Sequence, residues 1–226
     1  MTASRPYDVV TFDCYGTLID WEAGLRTAFA QAARAAGVAF DPAVLAAYHE
    51  IEPVVEREVY RRYRAVIGET AQRAAARVGW ALDGQRAALI GGSVPEWPPF
   101  PDTNLALQRL RDAGYRLGIL SNVDDDLLAG TRRHFAVPFE FWVTAQEVGS
   151  YKPAAPHFER GRERVGGARW LHAAQSYFHD VVPARAAGIP MAWINRKGQR
   201  PTGEARADRE FPTLVGLADW LAPPSR

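Results

Sequence analysis

Four short polar stretches hold the side chains of this 226-residue chain that could do covalent chemistry. Asp13 directly follows an apolar run, and Ser121 and Asn122 follow another. Lys152 lies in "VGSYKP", and Asp180 ends "QSYFHD". A carboxylate has an unperturbed pKa of about 3.9, so it is already deprotonated at neutral pH and can act as a covalent nucleophile. A neighbouring ammonium such as that of Lys152 would offset the rise in pKa that burial causes.

Each of these residues also has a simpler structural interpretation. An aspartate after a strand usually caps a turn or a helix, and "SN" before "VDDDLL" could cap a helix in the same way. Asp180 could cap the helix "VVPARAAG", and an isolated lysine is most often solvated. The chemical interpretation therefore depends on all four stretches following successive predicted strands.

Five nearly continuous apolar runs predict strands of a parallel sheet that is covered on both faces. These runs are residues 8–12, 115–121, 139–145, 170–176 and 190–195. Helical patterns precede and separate the last four runs, so we expect right-handed crossovers and a Rossmann-like, doubly wound α/β sheet. Ligands of such sheets bind beyond the carboxyl ends of the strands, which is where the four polar stretches fall.

Residues 20–95 break this alternation, because they contain helical patterns and no strand signal. Asp20 is a suitable N-cap for the first of these helices. A second pattern, residues 41–68, is expected to bend or break at Pro53. We therefore predict an all-helical cap domain of residues 20–95, inserted after the first strand of the sheet. The Rossmann-like catalytic core is predicted to consist of residues 1–19 and 96–226.

The composition argues against several classes of partner. The 27 basic and 26 acidic residues give a formal net charge of +1, which offers no electrostatic reason to expect nucleic acid or an anionic membrane. No apolar run approaches the length of a membrane span, and the N-terminus lacks the pattern of a signal peptide. One cysteine, Cys14, excludes an intramolecular disulfide, so we expect a cytoplasmic protein.

The four stretches together resemble the motifs of the haloacid dehalogenase superfamily. The resemblance is carried by "FDCYGTLID", "LSN", "VGSYKP" and the loop that ends at Asp180, and it covers the whole chain. It implies that Asp13 is the nucleophile and that Lys152 holds it ionised. It also implies that Thr17 and Ser121 hydrogen-bond the carboxylate or its ester, and that Asp180 assists the hydrolytic water.

Tyr15 bears on which bond is broken. Phosphatases of this superfamily have an aspartate at this position, two residues after the nucleophile, as general acid for the leaving alkoxide. Loss of a general acid typically costs about 10²–10⁴-fold in rate, and a tyrosine with a pKa of about 10 is a poor replacement near neutrality. A halide leaves without a proton, and "D-x-Y-G-T" resembles the 2-haloacid dehalogenase branch. We therefore predict cleavage of the carbon–halogen bond of a small (S)-2-haloacid through an aspartyl ester.

The resemblance also predicts that no cofactor is needed. Magnesium-dependent members commonly have two aspartates four residues apart in the last motif, whereas here Ser176 precedes Asp180 at that spacing. Mg²⁺ usually binds through one or two carboxylates besides substrate and water, so metal-independent chemistry is expected. Mg²⁺ would be required only if the chain is a phosphatase.

The match to the 2-haloacid dehalogenase branch is incomplete around the substrate. Gln175 and Tyr177 stand where that branch usually has serine and asparagine. Its substrate-gripping arginine is not placed by any motif, and four nearby cap arginines are expected to be solvated. These are Arg57, Arg61, Arg62 and Arg64. The residues expected to contact a small-molecule substrate, a small carboxylate, are Tyr15, Asn122, Ser176 and His179.

Two other functions stay open at this stage. One is a phosphatase that has lost its general acid and acts on a small phosphomonoester with a good leaving group. The other is a catalytically silent member of the superfamily that binds a metabolite. The altered "QSYFHD" loop motivates this hypothesis. The apolar cap helices could also support a homodimer.

Overall fold

The computed structural model describes residues 5–223, in which six parallel strands form one sheet of order β3-β2-β1-β4-β5-β6. The strands are β1 Val9–Phe12, β2 Arg116–Ser121, β3 Phe141–Thr144, β4 Trp170–Ala174, β5 Met191–Ile194 and β6 Arg209–Phe211. Every adjacent pair is parallel, which confirms the predicted Rossmann-like sheet. Only β6 is absent from the predicted set, because its three residues are exposed or half-buried and form no apolar run.

Helices connect these strands. They are α1 Trp21–Ala36, α2 Ala43–Glu56, α3 Tyr63–Arg77, α4 Gly84–Gly92, α5 Thr103–Asp112, α6 Asp125–Thr131, α7 Ala145–Val148, α8 Pro156–Val165, α9 Val182–Ala186 and α10 Leu214–Leu221. A single π-type turn, Tyr177–Val181, precedes α9. Within residues 5–223, no helix combines the length and the apolar character that a membrane span requires.

The strands bury side chains on both faces of the sheet. Val10 and Phe12 of β1 belong to one hydrophobic cluster, which also includes residues of α5 and α10, whereas Val9 belongs to a second cluster with residues of α8. Because successive side chains of a strand point to opposite faces, both sets of positions must be apolar. This explains why the strand sequences are continuous apolar runs instead of alternating ones.

Helices α1 to α4 lie within the range predicted for the cap. Asp20 caps α1, since its Oδ1 accepts a hydrogen bond from the backbone N–H of Ala23 at 3.0 Å. The predicted break at Pro53 is displaced, because this residue lies inside α2, which continues to Glu56. Proline removes only its own backbone donor, and here it lies near the end of the helix, so α2 ends one turn later and not at the proline.

A residue of the core caps the third cap helix. Arg62, at the N-cap position of α3, makes no side-chain cap hydrogen bond. The buried carboxylate of Asp124 instead accepts hydrogen bonds from the backbone N–H groups of Tyr63, at 2.8 Å, and Arg64, at 3.1 Å. A carboxylate at this position satisfies unpaired donors and interacts favourably with the helix dipole. Asp124 therefore attaches the cap to the carboxyl edge of the sheet.

Gly24 allows α1 to pack closely against the chain that returns from the cap. A Cβ atom at position 24 would lie 2.2 Å from Cγ of the buried Trp97, so alanine would have to displace the indole ring. We expect Gly24→Ala to lower the free energy of unfolding by about 1–3 kcal/mol, as overpacking typically does, when measured by urea denaturation.

Gly92→Ala is the matched control for this substitution. Gly92 is exposed at the end of α4, and no described heavy atom lies within 4 Å of an added Cβ. The same change should there be neutral, or stabilising by up to about 1 kcal/mol through helix propensity. Equal stabilities of the two variants would contradict the close approach of α1 to Trp97.

Candidate active site

All of the predicted site residues except Thr17 line one cavity of about 830 Å³, to which both the cap and the core contribute. The cavity lies where the strand order reverses between β1 and β4, because Asp13 follows β1 and Asp180 lies in the turn after β4. The core contributes the catalytic candidates, whereas α1 and α2 contribute residues from the cap side. This is the position at which open α/β sheets bind their ligands.

The ammonium group of Lys152 is shared by two buried carboxylates. Lys152 Nζ donates hydrogen bonds to Asp13 Oδ1 at 3.0 Å and to Asp180 Oδ1 at 2.6 Å. Its third hydrogen bond goes to the backbone carbonyl of Leu120 at 2.9 Å. An ammonium has three donors, and all three are therefore used. The sequence-predicted residues Asp13, Lys152 and Asp180 thus form one contiguous charged group.

The pKa values within this group follow from burial and mutual attraction. Burial lowers the pKa of Lys152, but the two carboxylates outweigh it and raise the pKa above its ordinary value. Burial raises the pKa of Asp13, and the attraction of Lys152 opposes that shift. Asp180 is held at a pKa of about 2, because Lys152 and His172 outweigh its burial. Opposite charges within a few ångströms favour the ionised forms.

Thr17 fixes the orientation of the predicted nucleophile. Thr17 Oγ1 donates a hydrogen bond to Asp13 Oδ2 at 2.9 Å and accepts one from the backbone N–H of Gln175 at 2.9 Å. Asp13 thus has a hydrogen bond on each carboxylate oxygen, from Thr17 on one and from Lys152 on the other. The carboxylate plane is therefore held by groups from two different loops.

A buried chain of hydrogen bonds behind Asp180 was not predicted. His172 Nε2 lies 3.0 Å from Asp180 Oδ1, and His172 Nδ1 lies 2.8 Å from Thr11 Oγ1. Trp170 Nε1 donates to the same Thr11 oxygen at 2.7 Å. A neutral His172 with its proton on Nε2 satisfies every one of these contacts, because the Thr11 hydroxyl then donates to Nδ1. His172 is a positioning residue for Asp180, and its only sequence signal is a histidine inside an apolar strand.

Two of the residues expected to contact substrate use their side chains elsewhere. The hydroxyl of Tyr15 lies 2.9 Å from Thr131 Oγ1 of α6, although Tyr15 itself lines the cavity. Asn122 Oδ1 accepts from the backbone N–H of Lys152 at 2.7 Å, and Asn122 Nδ2 donates to the Lys152 carbonyl at 3.1 Å. The side chain of Asn122 therefore positions Lys152, although Asn122 also lines the cavity.

The other two expected substrate contacts, Ser176 and His179, form a unit with the cap. Ser176 Oγ lies 3.1 Å from His179 Nδ1 and accepts a hydrogen bond from the His179 backbone N–H at 3.1 Å. His179 Nε2 lies 3.3 Å from Oε2 of Glu56 on α2. Burial lowers the pKa of His179, but its hydrogen bond to Glu56 and the attraction of that carboxylate outweigh burial and raise the pKa. His179 and Glu56 therefore form an ion pair between core and cap.

The cap side of the cavity is acidic. Glu52 and Glu56 of α2 line it, whereas Arg61 and Arg64, like the other cap arginines considered above, are not among its lining residues. Arg61 pairs with Glu58 and Glu69, and Arg64 pairs with Asp126, so both are engaged on the surface. The expectation that the cap arginines are not substrate ligands agrees with this placement. The two glutamates are functional candidates that carry no motif signal.

Two buried oxygen atoms of the site have no hydrogen-bond partner within residues 5–223. They are Ser121 Oγ and Asp180 Oδ2, and both residues line the cavity. A buried polar group without a partner costs free energy comparable to a lost hydrogen bond. These atoms are therefore the natural contacts for a ligand or for a reacting water.

The donor set does not fit a resident Mg²⁺ ion. Three of the four carboxylate oxygens of Asp13 and Asp180 already accept hydrogen bonds, from Lys152, Thr17 or His172. Asp180 Oδ2 is the one that remains. Mg²⁺ requires near-octahedral oxygen coordination, usually with one or two carboxylates that are free to bind it. Within residues 5–223, no group of three or more His, Cys, Asp or Glu side chains is placed to hold a metal ion.

The family model of haloacid dehalogenase-like hydrolases matches residues 7–176, a range that contains Asp13, Ser121 and Lys152. The chain belongs to this family. It is therefore a hydrolase, and the resemblance identified from its motifs is confirmed. The matched range also includes all of the cap helices and the first four strands.

Relatives of this haloacid dehalogenase-like hydrolase include two dehalogenases. Haloacetate dehalogenase H-2 of Moraxella sp. (strain B) is 35% identical over 103 residues, which are 44% of this chain and 46% of that protein. (S)-2-haloacid dehalogenase H-109 of Pseudomonas putida is 25% identical over 225 residues, which are 96% of this chain and 99% of that protein. The match thus spans about half of H-2 and nearly all of H-109.

A solved structure shares the fold. The crystal structure of the L-2-haloacid dehalogenase RSc1362 superposes with a TM-score of 0.83 at 21% identity, covering 95% of this chain and 98% of that one. At this identity the superposition shows a common fold of the hydrolase core and the cap.

Removal of the shared cation should be costly for stability. We expect Lys152→Met to lower the free energy of unfolding at neutral pH by about 3–5 kcal/mol, because it leaves two buried carboxylates without a counter-charge. The loss should shrink at acidic pH, where the carboxylates bind protons. Urea denaturation at several pH values measures it.

Lys197→Met is the matched control, because Lys197 forms an exposed ion pair with Glu22. Exposed pairs contribute at most about 1 kcal/mol. A Lys152→Met variant that is as stable as Lys197→Met at neutral pH would contradict the described charge balance.

The contact between Glu56 and His179 leads to a prediction for the titration of the His179 imidazole. Because Glu56 favours the imidazolium and burial opposes it, Glu56→Gln should lower the pKa of His179 below its ordinary value. NMR titration of the imidazole resonances measures this change. His157 is the internal control, since burial lowers its pKa to about 3 and it should stay neutral in both proteins. An unchanged His179 titration in Glu56→Gln would show that the pair does not form.

Proposed function

We propose that this hydrolase cleaves the carbon–halogen bond of a small (S)-2-haloacid by means of a covalent Asp13 ester. The observation that carries the proposal is the position of Tyr15. Its hydroxyl is hydrogen-bonded to Thr131, and burial raises its pKa well above that of an ordinary tyrosine. Tyr15 is therefore a weaker acid than an ordinary tyrosine and a poor proton donor for a basic alkoxide leaving group, whereas a halide needs no proton.

The charge balance of the site supports a carbon electrophile over a phosphate. Lys152 is the cation shared by Asp13 and Asp180, so the ionised group carries one net negative charge. Attack on a phosphate dianion would add more negative charge to a buried region without a further counter-ion. Attack on carbon converts the Asp13 carboxylate into a neutral ester and removes charge from it.

The first step is a displacement at the substrate α-carbon. A carboxylate oxygen of Asp13 forms the new carbon–oxygen bond while the carbon–halogen bond breaks, and the halide leaves with the bonding electrons. Thr17 and Lys152 hold the carboxylate in place for this attack. Ser121 Oγ, which has no partner within residues 5–223, is the group that would donate to the substrate carboxylate. Rear-side attack inverts the configuration at the α-carbon.

The second step hydrolyses the ester. Water attacks Cγ of Asp13 and not the substrate α-carbon. The configuration of the α-carbon is therefore not inverted a second time, and a 2-hydroxyacid is released. Asp180 Oδ2 is free to accept a hydrogen bond from this water, while its other oxygen is held by Lys152 and His172. The overall reaction therefore converts an (S)-2-haloacid into the (R)-2-hydroxyacid, a halide ion and a proton.

Halide release from (S)-2-chloropropionate tests the reaction. We expect release in the presence of a chelator, with loss of at least about 10³-fold in kcat in Asp13→Asn, since the nucleophile is removed. A single turnover in H₂¹⁸O should place label in Asp13, as detected by mass spectrometry of the peptide that contains it. Label in the hydroxyacid instead would rule out the ester. Turnover of phosphomonoesters that requires Mg²⁺ would identify a phosphatase.

Predictions about the size of the substrate, the cellular location and the oligomeric state accompany this proposal. A small-molecule substrate agrees with the dimensions of the cavity, about 830 Å³. A cytoplasmic location and a homodimer stay predictions from the sequence.

A further inference from the structure

The cap presents acidic side chains where a small anion has to bind. Glu52 and Glu56 are four residues apart on α2, so they lie on one face of this helix, and both line the cavity that contains Asp13. The cationic side chains of the same cavity that come from the loop after β5 are Arg196, Lys197 and Arg200. Arg196 is paired with Asp102, Lys197 with Glu22, and Arg200 is exposed.

The hydrogen bonds of Glu52 engage only one of its two carboxyl oxygens. Oε1 of Glu52 accepts from the hydroxyls of Tyr48, at 3.1 Å, and of Tyr63, at 2.9 Å. Oε2 accepts no hydrogen bond from residues 5–223, and Glu52 lines the cavity. Hydrogen bonds from the two hydroxyls favour the carboxylate and oppose part of the rise in pKa, but the carbonyl oxygen of a carboxylic acid can accept them as well. A proton on Oε2 would therefore leave every hydrogen bond of the pair of tyrosines intact.

The surroundings favour the protonated form of Glu52. Burial and the negative charge of Glu56 raise the pKa of Glu52 to about 8. His179, which lies 3.3 Å from Glu56, opposes this rise in the pKa of Glu52 only in part. The titratable and charged groups around Glu52 are Tyr48, His49 and Glu56 on α2, Tyr63 on α3, His179 in the π-type turn, and Asp13, Lys152 and Asp180 on the core side of the cavity.

We propose that Glu52 binds the substrate as a neutral carboxylic acid, donating its Oε2 proton to a carboxylate oxygen of the substrate. Glu52 thereby does for the anion what a cationic cap residue would otherwise do, and it forms the cap half of a site whose core half is Ser121. The identity of the ligand rests on the proposed function. A carboxylic acid that is kept neutral at pH 7 in order to donate a hydrogen bond has a documented precedent in ketosteroid isomerase.

The ionised form of Glu52 would have the opposite specificity. A carboxylate in this position repels a substrate anion and attracts an ammonium group. The two forms therefore predict opposite pH dependences. If neutral Glu52 binds an anion, deprotonation of Glu52 abolishes binding. If ionised Glu52 binds a cation, deprotonation of Glu52 creates the binding site. The unpaired Ser121 Oγ in the same cavity does not distinguish the two forms, because a hydroxyl can donate to an anion or accept from an ammonium.

The pH dependence of KM for (S)-2-chloropropionate tests the proposal without any substitution. KM should be constant below about pH 7 and should rise about tenfold per pH unit above the pKa of Glu52, about 8, since only the protonated form binds. In Glu52→Gln, the amide donates from the same position and does not titrate. Its KM at pH 7 should stay within about threefold of that of the unmodified protein, and the rise at high pH should disappear.

Glu22→Gln is the matched control, because it makes the same change at another glutamate that lines the cavity. Its KM should rise with pH like that of the unmodified protein. Identical pH profiles in Glu52→Gln and in the unmodified protein would overturn the proposal, since another group, such as Arg200, would then hold the anion. A KM that falls with rising pH, or a loss of more than about tenfold in affinity in Glu52→Gln at pH 7, would show that Glu52 acts as a carboxylate.

Direct binding separates this proposal from the proposed reaction. Calorimetric titration of Asp13→Asn with 2-chloropropionate measures affinity when no ester can form. Affinity that falls above about pH 8, and that loses this dependence when Glu52→Gln is added, supports the role of Glu52 even if the unmodified protein releases no halide. Halide release by a protein whose binding is independent of pH and of Glu52 would overturn the inference and leave the reaction intact.

Discussion

The structure of the site depends on one ammonium group between two buried carboxylates. Lys152 reaches Asp13 after β1 and Asp180 after β4, so three connections of the sheet must end within a few ångströms of one another. Each of these charges is costly to bury alone, and the pair of carboxylates without the lysine would repel. β1 and β4 are adjacent strands, and the strand order of the sheet reverses between them. Because the loops after these two strands are neighbours, a single cation can contact both carboxylates.

This shared cation also accounts for the chemistry that the site favours. Its attraction opposes the rise in the pKa of Asp13 that burial causes, yet one cation cannot neutralise two carboxylates, so the ionised group carries an excess negative charge. Alkylation of Asp13 removes that excess and leaves a balanced Lys152–Asp180 pair for the hydrolytic step. A reaction that instead added a phosphoryl group would leave the negative charge close to Asp180. The charges of Asp13, Lys152 and Asp180 therefore favour a carbon electrophile over a phosphoryl group, whatever other contacts the substrate makes.

The sequence predicts the parts of the molecule that are local or follow chain order. Five strands are visible as apolar runs, and Asp13, Ser121, Lys152 and Asp180 follow them at matching positions. Contacts between distant segments carry no such signal. Asp124 directly precedes α6 in the chain, yet its carboxylate caps α3, some 60 residues earlier. The role of Asn122 is missed for the same reason, because its partner is the backbone of a residue 30 positions away.

Asp13 and Glu52 show how neighbours decide the state of similar groups. Both are carboxyl groups on the same cavity, and desolvation raises the pKa of each. Asp13 has an ammonium at 3.0 Å, which offsets part of the rise in pKa that burial causes and so supports the charged form that attacks. Glu52 is buried and has a like charge one helical turn away, and these two effects outweigh the tyrosine hydroxyls that favour its charged form, so its neutral form is favoured and it can donate. One cavity can therefore hold a nucleophile and a hydrogen-bond donor of the same chemical type, because a single lysine is near one and not the other.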